Sequence, residues 1–373
     1  MSLPKLHLDL NRPDFIADPY ADLARLREET PIFYDEPWNK VFFTRHADIS
    51  ALLRDKRLGR SILHILSRDE LGWPPPDPRL KEFQRFQDNV FMDWEPPAHT
   101  RLRSLVSKVF TPKRVESLRG KLEATVHQLI DAVEADGGCD FVRDIAEPLP
   151  VAMISDLLGV PEADRHRLRP WSAAIVKMYE LGYTDEQVEE AGQTLSEDEL
   201  RATCIFLLNA GHEATVNGSA LGLRALLGHP EQFAALKEAV AGGDASLLKT
   251  GVDEMLRYDT PLPMFERYVL EDLEIGGVRL ERGMEVALLY ISGNRDPLRF
   301  ERADQFDLAR RDSPLLTFGL GTHYCLGAPL ARLEMQVLFG ALLRRLPNVH
   351  LAGKAEFARG FVIRGLAPLP IGF

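Results

Sequence analysis

The chain has 373 residues, of which 45 are Lys or Arg and 56 are Asp or Glu, so its formal net charge is −11. This acidic balance argues against a general nucleic-acid-binding protein. The three cysteines, Cys139, Cys204 and Cys325, are too few and too scattered for a disulfide framework, and no C-x-x-C pair indicates structural zinc. The sequence shows no signal-peptide core and no apolar run of membrane-spanning length, so we expect a cytoplasmic protein without a membrane anchor.

The first elements in chain order are a helix and a pair of short strands. A helical pattern covers residues 20–29, and the runs PIFYDE and KVFFTR on either side of residues 37–39 predict two strands. Apolar residues then recur at helical spacing. They predict helices over residues 98–110, 113–135, 145–158 and 162–181.

One unusually long helix is predicted from Ser196 to Gly228. Ser196 is the expected N-cap, Glu199 completes a capping box, and Gly228 with Pro230 ends the helix. Its centre is apolar on nearly every face, which predicts a path through the core. Further helices are predicted over 230–241 and 246–258, small antiparallel strands over 267–290, and a last helix from about 325 to 346. The absence of repeats or linkers favours a single, mainly α domain over residues 1–373 with a minor β region.

Cys325 lies at a loop-to-helix junction in the stretch LLTFGLGTHYCLGAPLARLE. Gly319 and Gly321 permit backbone conformations closed to other residues and let a flat ligand approach the chain. At a helix N-terminus, free N–H groups and the helix dipole favour a thiolate, which suits a sulfur that binds metal. The residues alone leave four readings open: a nucleophile activated by His323, a redox cysteine, an axial ligand to haem iron, or a buried structural cysteine.

The same stretch resembles the haem-binding signature of the cytochrome P-450 family, F-x-x-G-x-[HR]-x-C-x-G. The matching positions are Phe318, Gly321, His323, Cys325 and Gly327. The resemblance implies a cytochrome P-450 fold, in which haem b (iron protoporphyrin IX) lies between a long distal helix and the helix of the cysteine loop. It also implies that Cys325 is the metal ligand, and that Gly319 and the residues above contact the cofactor.

Two further groups of charged residues match the family pattern. The pattern E-x-x-R at Glu254 and Arg257, with Arg295 in the run GNRDPLRF, resembles the Glu-Arg-Arg network that supports the cysteine loop. The run EPPAHTRLR resembles the family's C helix, where a histidine and an arginine bind the haem propionates. By this resemblance the propionate-binding residues are His99, Arg103, Arg267 and His323.

The centre of the long helix, NAGHEATVN, resembles the distal helix that crosses over the haem. Ala210, Gly211 and Glu213 match the pattern [AG]-G-x-[DE]-T, and the resemblance implies that Ala210 and Gly211 contact the haem. Ala214 occupies the place of the threonine that normally orders oxygen and water, and Thr215 is one position late, turned by about 100° around the helix. We therefore expect Glu213, Ala214 and Thr215 to define the catalytic side, with a polar group of the substrate supplying the missing hydroxyl.

The segment between residues 182 and 195 departs from the family. Two further helices of the family's substrate lid have no counterpart here, so the chain is short by about two ordinary helices. Either the distal face is truncated and open, or a segment is absent from the sequence. A link of a few residues into a buried helix is sterically tight, which favours the second explanation.

The resemblance implies a soluble, bacterial-type monooxygenase that inserts one oxygen atom from O2 into a mostly apolar organic substrate. Because no dinucleotide-binding fingerprint is present, electrons must come from a separate partner, expected to be a ferredoxin-type donor with its reductase. A basic docking patch is expected at Arg101, Lys108, Lys113, Arg114 and Arg332. The substrate pocket is expected to be lined by Val90, Phe91, Met92, Phe206, Asn209, Ala210, Leu262, Met264, Phe265 and Ile363. The alternative is a haem-thiolate protein without monooxygenase activity, either a gas sensor or carrier or a vestigial ligand-binding scaffold.

Overall fold

The computed structural model describes residues 3–108, 110–158, 160, 163 and 203–373. The predicted helix over 162–181, the shortened lid at 182–195 and the Ser196 N-cap lie outside the described residues. So do the side chains of Cys204, Phe206, Asn209 and Ala210, although the backbone of these four residues is helical. No helix in the described part of the chain is long and apolar enough to cross a membrane.

Helices dominate the described residues. They are α1 (Pro13–Ala17), α2 (Tyr20–Glu29), α3 (His46–Leu52), α4 (Lys81–Asp88), α5 (Ala98–Val106), α6 (Pro112–Glu116), α7 (Arg119–Glu134), α8 (Pro148–Leu158), α9 (Thr203–Leu227), α10 (Pro230–Ala241), α11 (Ser246–Tyr258), α12 (Tyr290–Gly293) and α13 (Ala328–Arg345). A π-helical turn, Val142–Ala146, leads into α8. Short 3-10 turns occur at Pro78–Leu80, Phe91–Asp93 and Gly321–His323.

Within the described ranges, the β structure is minor and forms three small sheets. Its strands are β1 (Ile32–Asp35), β2 (Lys40–Phe43), β3 (Leu58–Gly59), β4 (Gly138–Asp140), β5 (Met264–Val269), β6 (Leu273–Ile275), β7 (Val278–Leu280), β8 (Glu285–Leu289), β9 (His350–Leu351) and β10 (Pro370–Gly372). The largest sheet has the order β1-β2-β8-β5-β3, in which only β2 and β8 run parallel. The others are β4-β10-β9 and the hairpin β6-β7.

The main core is built around α9, which packs against α8, α11 and α13. Glycines allow the close approach of α9 to α11: a Cβ at Gly218 would lie 2.9 Å from Leu256 Cδ2, and one at Gly222 would lie 3.1 Å from Met255 Cβ. The described part of α9 therefore runs through the core, as its all-round apolar sequence predicted.

The predicted elements agree closely in the regular regions. Helices α2, α10 and α11 have the predicted bounds. The predicted helix over 113–135 is wrong in one respect, because the structure has two helices there, α6 and α7, separated by a turn at Ser117 and Leu118. The apolar period continues through this break, so it could not be recognised from hydrophobic spacing alone.

A buried cluster joins segments from both ends of the described chain. The guanidinium of Arg364 donates to the backbone carbonyls of Ile16 at 2.7 Å and Ala17 at 2.9 Å, and it is paired with Asp259. Asp259 also accepts a hydrogen bond from the Tyr20 hydroxyl at 2.7 Å. These contacts anchor α1 and α2 to the end of α11.

Candidate functional site

The cysteine loop is held by its own backbone. The N–H of Cys325 donates to the carbonyl of Phe318 at 2.8 Å, and the N–H of Gly319 donates to Leu316 at 2.7 Å. Gly319 and Gly321 have φ angles of +63° and +71°, and a Cβ at Gly321 would collide with the carbonyl of Leu53. The two glycines are therefore required by the loop's conformation, as the sequence predicted.

Cys325 precedes α13 and remains accessible from the site. Burial raises the pKa of its thiol, and the N–H groups of Gly327 and Ala328 and the charges of Arg103 and Arg332 reduce this rise without reversing it. Donors aimed at the sulfur favour its anionic form, so the loop is suited to a sulfur ligand of a metal.

Three of the four predicted propionate-binding residues lie in one buried cluster. His99 is 1% exposed and Arg267 is 5% exposed, and the rings of His99 and His323 are 4.4 Å apart. Neither ring nitrogen of either histidine has a hydrogen-bond partner among the described residues. Burial lowers the pKa of His99 to about 4 and also lowers that of His323, on which the nearby charge of Arg267 acts in the same direction. Buried polar atoms are nearly always paired, so these nitrogens indicate an absent hydrogen-bonding ligand.

The fourth member, Arg103, has a different contact. Its guanidinium donates to the carbonyl of Tyr324, next to Cys325. The structure thus groups His99, Arg267 and His323, and places the charge of Arg103 beside the cysteine loop.

On the long helix, the side chain of Thr215 is directed toward α13. Its hydroxyl donates to the carbonyl of Gly211 at 3.3 Å and interacts with the carboxyl group of Glu334. Glu334 is 2% exposed, and burial raises its pKa to about 8. His212 and Glu213 face each other with 3.7 Å between Nδ1 and Oε1. The Thr215 hydroxyl is therefore engaged with Gly211 and with Glu334 of α13.

The charged network beneath the loop requires a correction. Arg257 donates to Glu254 at 2.7 and 2.9 Å, and both side chains are fully buried. The second arginine beside Glu254 is Arg310, whose Nε lies 3.1 Å from Oε2. Arg295 was the wrong candidate: its guanidinium lies over the rings of Tyr20 and Tyr258, and it donates to the Tyr258 carbonyl.

The predicted pocket residues with described side chains are buried or partly buried. Val90, Phe91 and Met264 are almost inaccessible. Met92, Leu262, Phe265 and Ile363 are partly exposed.

The predicted docking patch is only partly free. Arg101, Lys108, Lys113 and Arg114 are exposed. Arg332, in contrast, is paired with Asp253 at 2.6 Å and lies over the Phe318 ring.

Comparisons with known proteins agree with this geometry. A family model described as Cytochrome P450 matches residues 165–351. The cytochrome P450 monooxygenase PikC of Streptomyces venezuelae is 36% identical over 99% of this chain and 94% of PikC. The polyketide biosynthesis cytochrome P450 PksS of Bacillus subtilis is 32% identical over 99% of both proteins. The chain belongs to the cytochrome P450 family.

A solved structure confirms the P450 fold. P450BioI, crystallised with an acyl carrier protein bearing hexadec-9Z-enoic acid, matches with a TM-score of 0.88 and 31% identity, covering 97% of this chain and 100% of that one. The alignment to PikC spans 412 residues, more than the 373 residues of this chain, so PikC contains residues that this P450 lacks. The protein is a haem-thiolate monooxygenase that uses O2 and an organic substrate.

The described residues fit a haem in two respects. Cys325 offers a sulfur among N–H donors, and His99 and His323 offer buried nitrogens without partners beside Arg267. The first group suits the iron and the second suits carboxylates. Haem, when bound, supplies the iron at which oxygen is activated.

Sequence reasoning missed Arg60, Asp93, Glu95, Arg310 and Glu334. The Arg60 guanidinium binds Asp93 at 2.9 Å, and its backbone N–H donates to Glu95. Burial acts to raise the pKa of Glu95, but His323 and the N–H groups of Arg60 and Ser61 outweigh it and hold this pKa below its ordinary value. These contacts join residues far apart in the chain, so sequence spacing does not predict them. The only sequence feature that could have indicated this cluster is the pair of acidic residues, Asp93 and Glu95, just before Pro96.

Proposed function

We propose that Cys325 is the proximal iron ligand and that His99, Arg267 and His323 bind the carboxylates of haem b. The observation that carries this proposal is a pair of buried histidines whose ring nitrogens have no hydrogen-bond partner among the described residues. One of them, His323, lies two residues before the accessible Cys325. Arg103 is close enough to the cysteine loop to serve either the sulfur or a carboxylate. Residues 1–373 act together as a single domain in this proposal.

The distal side is expected to work without a threonine hydroxyl. Ala214 has no group that donates or accepts a hydrogen bond, and the Thr215 hydroxyl is already engaged with Gly211 and Glu334. We therefore propose that a hydroxyl or carbonyl of the substrate, with ordered water, holds the proton that oxygen activation requires. Glu213 would take part through a bridging water.

The substrate is proposed to be a large, mostly apolar molecule with one polar group near the oxidised carbon. The described pocket residues are Val, Phe, Met, Leu and Ile, which favour apolar ligands. PksS is named for polyketide biosynthesis, and P450BioI was crystallised with a fatty acyl chain. Polyketides and fatty acyl compounds are therefore the classes to test first.

The electron donor is proposed to be an acidic ferredoxin acting with its reductase in the cytoplasm. The exposed side chains of Arg101, Lys108, Lys113 and Arg114 support this choice, because complementary charge accelerates the encounter of two proteins.

The test combines a spectral screen with turnover. The purified, haem-bound protein is titrated with polyketide and fatty acyl compounds, and the Soret band is followed. Compounds that shift the band are then incubated with O2, reduced nicotinamide and a ferredoxin system. We expect a product that carries one added oxygen and requires the donor. Binding without donor-dependent product in every case would contradict the proposed substrate classes.

A further inference from the structure

Glu95 connects two segments that meet at the cysteine loop. One carboxylate oxygen, Oε1, accepts hydrogen bonds from the backbone N–H groups of Arg60 and, at 3.3 Å, Ser61. The other, Oε2, lies 3.7 Å from Nε2 of His323. Glu95 thus links the end of β3 to the residue that lies two positions before Cys325.

The position of this carboxylate is fixed from both sides. Its side chain is only 13% exposed, and backbone N–H groups hold one oxygen. On the other side, a Cβ at Gly59 would lie 2.7 Å from Oε1, a distance that real Cβ atoms do not show. Glycine at position 59 is therefore what leaves space for the carboxylate.

One ring nitrogen of His323, Nε2, faces Glu95 at 3.7 Å, and neither ring nitrogen has a hydrogen-bond partner among the described residues. Its side chain is 9% exposed, and its ring packs 4.4 Å from that of His99. A carboxylate beside one nitrogen of an imidazole orients the ring and thereby fixes the direction in which the other nitrogen points.

We propose that Glu95 is a positioning residue that orients His323 toward a carboxylate of the haem. This inference rests on the proposed role of His323. It adds that binding of the haem carboxylate by His323 depends on Glu95 holding the imidazole ring in place.

The chain offers matched variants for a test. Glu95→Gln keeps the shape and an acceptor for the backbone N–H groups but removes the charge that faces His323. Asp93→Asn is the control, because Asp93 belongs to the same segment and pairs with Arg60, and the described part of the structure has no hydrogen bond or ion pair between Asp93 and His323. Glu95→Asp keeps the charge on a shorter side chain and serves if the Gln variant does not fold.

The experiment measures the rate of haem loss from the purified protein to an excess of apomyoglobin. We expect loss about tenfold faster in Glu95→Gln, the lower end of the range for residues that support ligating histidines. Asp93→Asn should lose haem at nearly the wild-type rate. Glu95→Gln should add nothing in a His323→Ala background, because the residue acts through that histidine. Reconstitution with haem dimethyl ester, which has no free carboxylates, should remove the difference between wild type and Glu95→Gln.

Each other result overturns a specific step. If His323→Ala loses haem at the wild-type rate, the proposed carboxylate role of His323 is wrong. If His323→Ala accelerates loss but Glu95→Gln and Glu95→Asp do not, the role of Glu95 alone is wrong. If the effect of Glu95→Gln persists with His323→Ala, with the dimethyl ester or equally in Asp93→Asn, Glu95 only holds the segment in place.

Discussion

Replacing Cys325 by alanine removes the sulfur that the cysteine loop presents to the site. We expect the reduced carbon monoxide complex to lose its far-shifted Soret band, because the thiolate produces that shift. Cys139→Ala is the control, since Cys139 is half-buried in β4 at a position where burial raises the pKa of its thiol to about 12. Survival of the band in Cys325→Ala would show that another residue binds the iron.

Ala214 is the residue at which oxygen activation is expected to depend on the substrate. In Ala214→Thr we expect little gain for a substrate with a suitably placed polar group, and better coupling for a plain hydrocarbon of similar size. The measurement is product formed per reduced nicotinamide consumed, for both proteins and both substrates. A large gain for the polar substrate would show that the wild-type enzyme simply lacks a needed hydroxyl.

Among elements, α11 is joined to the segment before the cysteine loop by buried charges. Glu254→Gln leaves Arg257 and Arg310 with one neutral partner, and loss of a buried pair costs about 3 to 5 kcal/mol. We expect poor haem retention and a lower free energy of unfolding in urea. Arg299→Gln is the matched control, because its partner Asp312 is 81% exposed and such pairs contribute about 1 kcal/mol or less.

The assignment of Arg310 instead of Arg295 to this network can be tested by the same urea unfolding measurement. Arg310→Gln and Glu254→Gln should be less than additive, because the two side chains contact each other at 3.1 Å. Arg295→Gln and Glu254→Gln should add. Coupling of Glu254 with Arg295 and none with Arg310 would restore the network predicted from the sequence.

Glu334 makes the packing of α9 against α13 sensitive to pH. Burial raises its folded pKa from 4.5 to about 8, so between these values the folded protein holds a proton that the unfolded chain has released. Stability therefore falls as pH rises through this window, by up to a few kcal/mol. Glu334→Gln has no such proton, and its unfolding free energy should decline less between about pH 5 and 8. Parallel curves for variant and wild type would contradict the shift.

At the level of elements, sequence patterns predicted the helices whose bounds are determined by local interactions. The bounds of α2, α10 and α11 follow from apolar spacing and end signals such as Pro230. Arg310 was missed because residues 295–311 contain five arginines, and spacing does not tell which one reaches Glu254. Glu95 was missed for a related reason: its partners at residues 60, 61 and 323 are set by tertiary packing.

Across the whole molecule, the family motifs identified the haem site because they mark residues that meet only in the folded protein. Hydrophobic periodicity indicates only local structure. His323 and Cys325 lie in the same loop, whereas His99 comes from α5 and Arg267 from β5. The resemblance named all four, and the structure brings the two histidines and Arg267 together in one buried cluster. The polar contacts of individual side chains could not be predicted from these motifs: Arg103 contacts the Tyr324 carbonyl, and Thr215 interacts with Glu334.

The buried contacts of Arg364 also constrain the order in which the protein can mature during translation. Arg364 is made 105 residues after Asp259 and 348 residues after Ile16, the groups that it joins. Until it has left the ribosome, Asp259 lacks its buried cation, and α1 lacks the donor for two carbonyls. Residues of the helical core, including the cysteine loop, emerge earlier. A ribosome-bound chain can therefore bury much of its apolar core, but α1 gains these hydrogen bonds only after Arg364 has emerged.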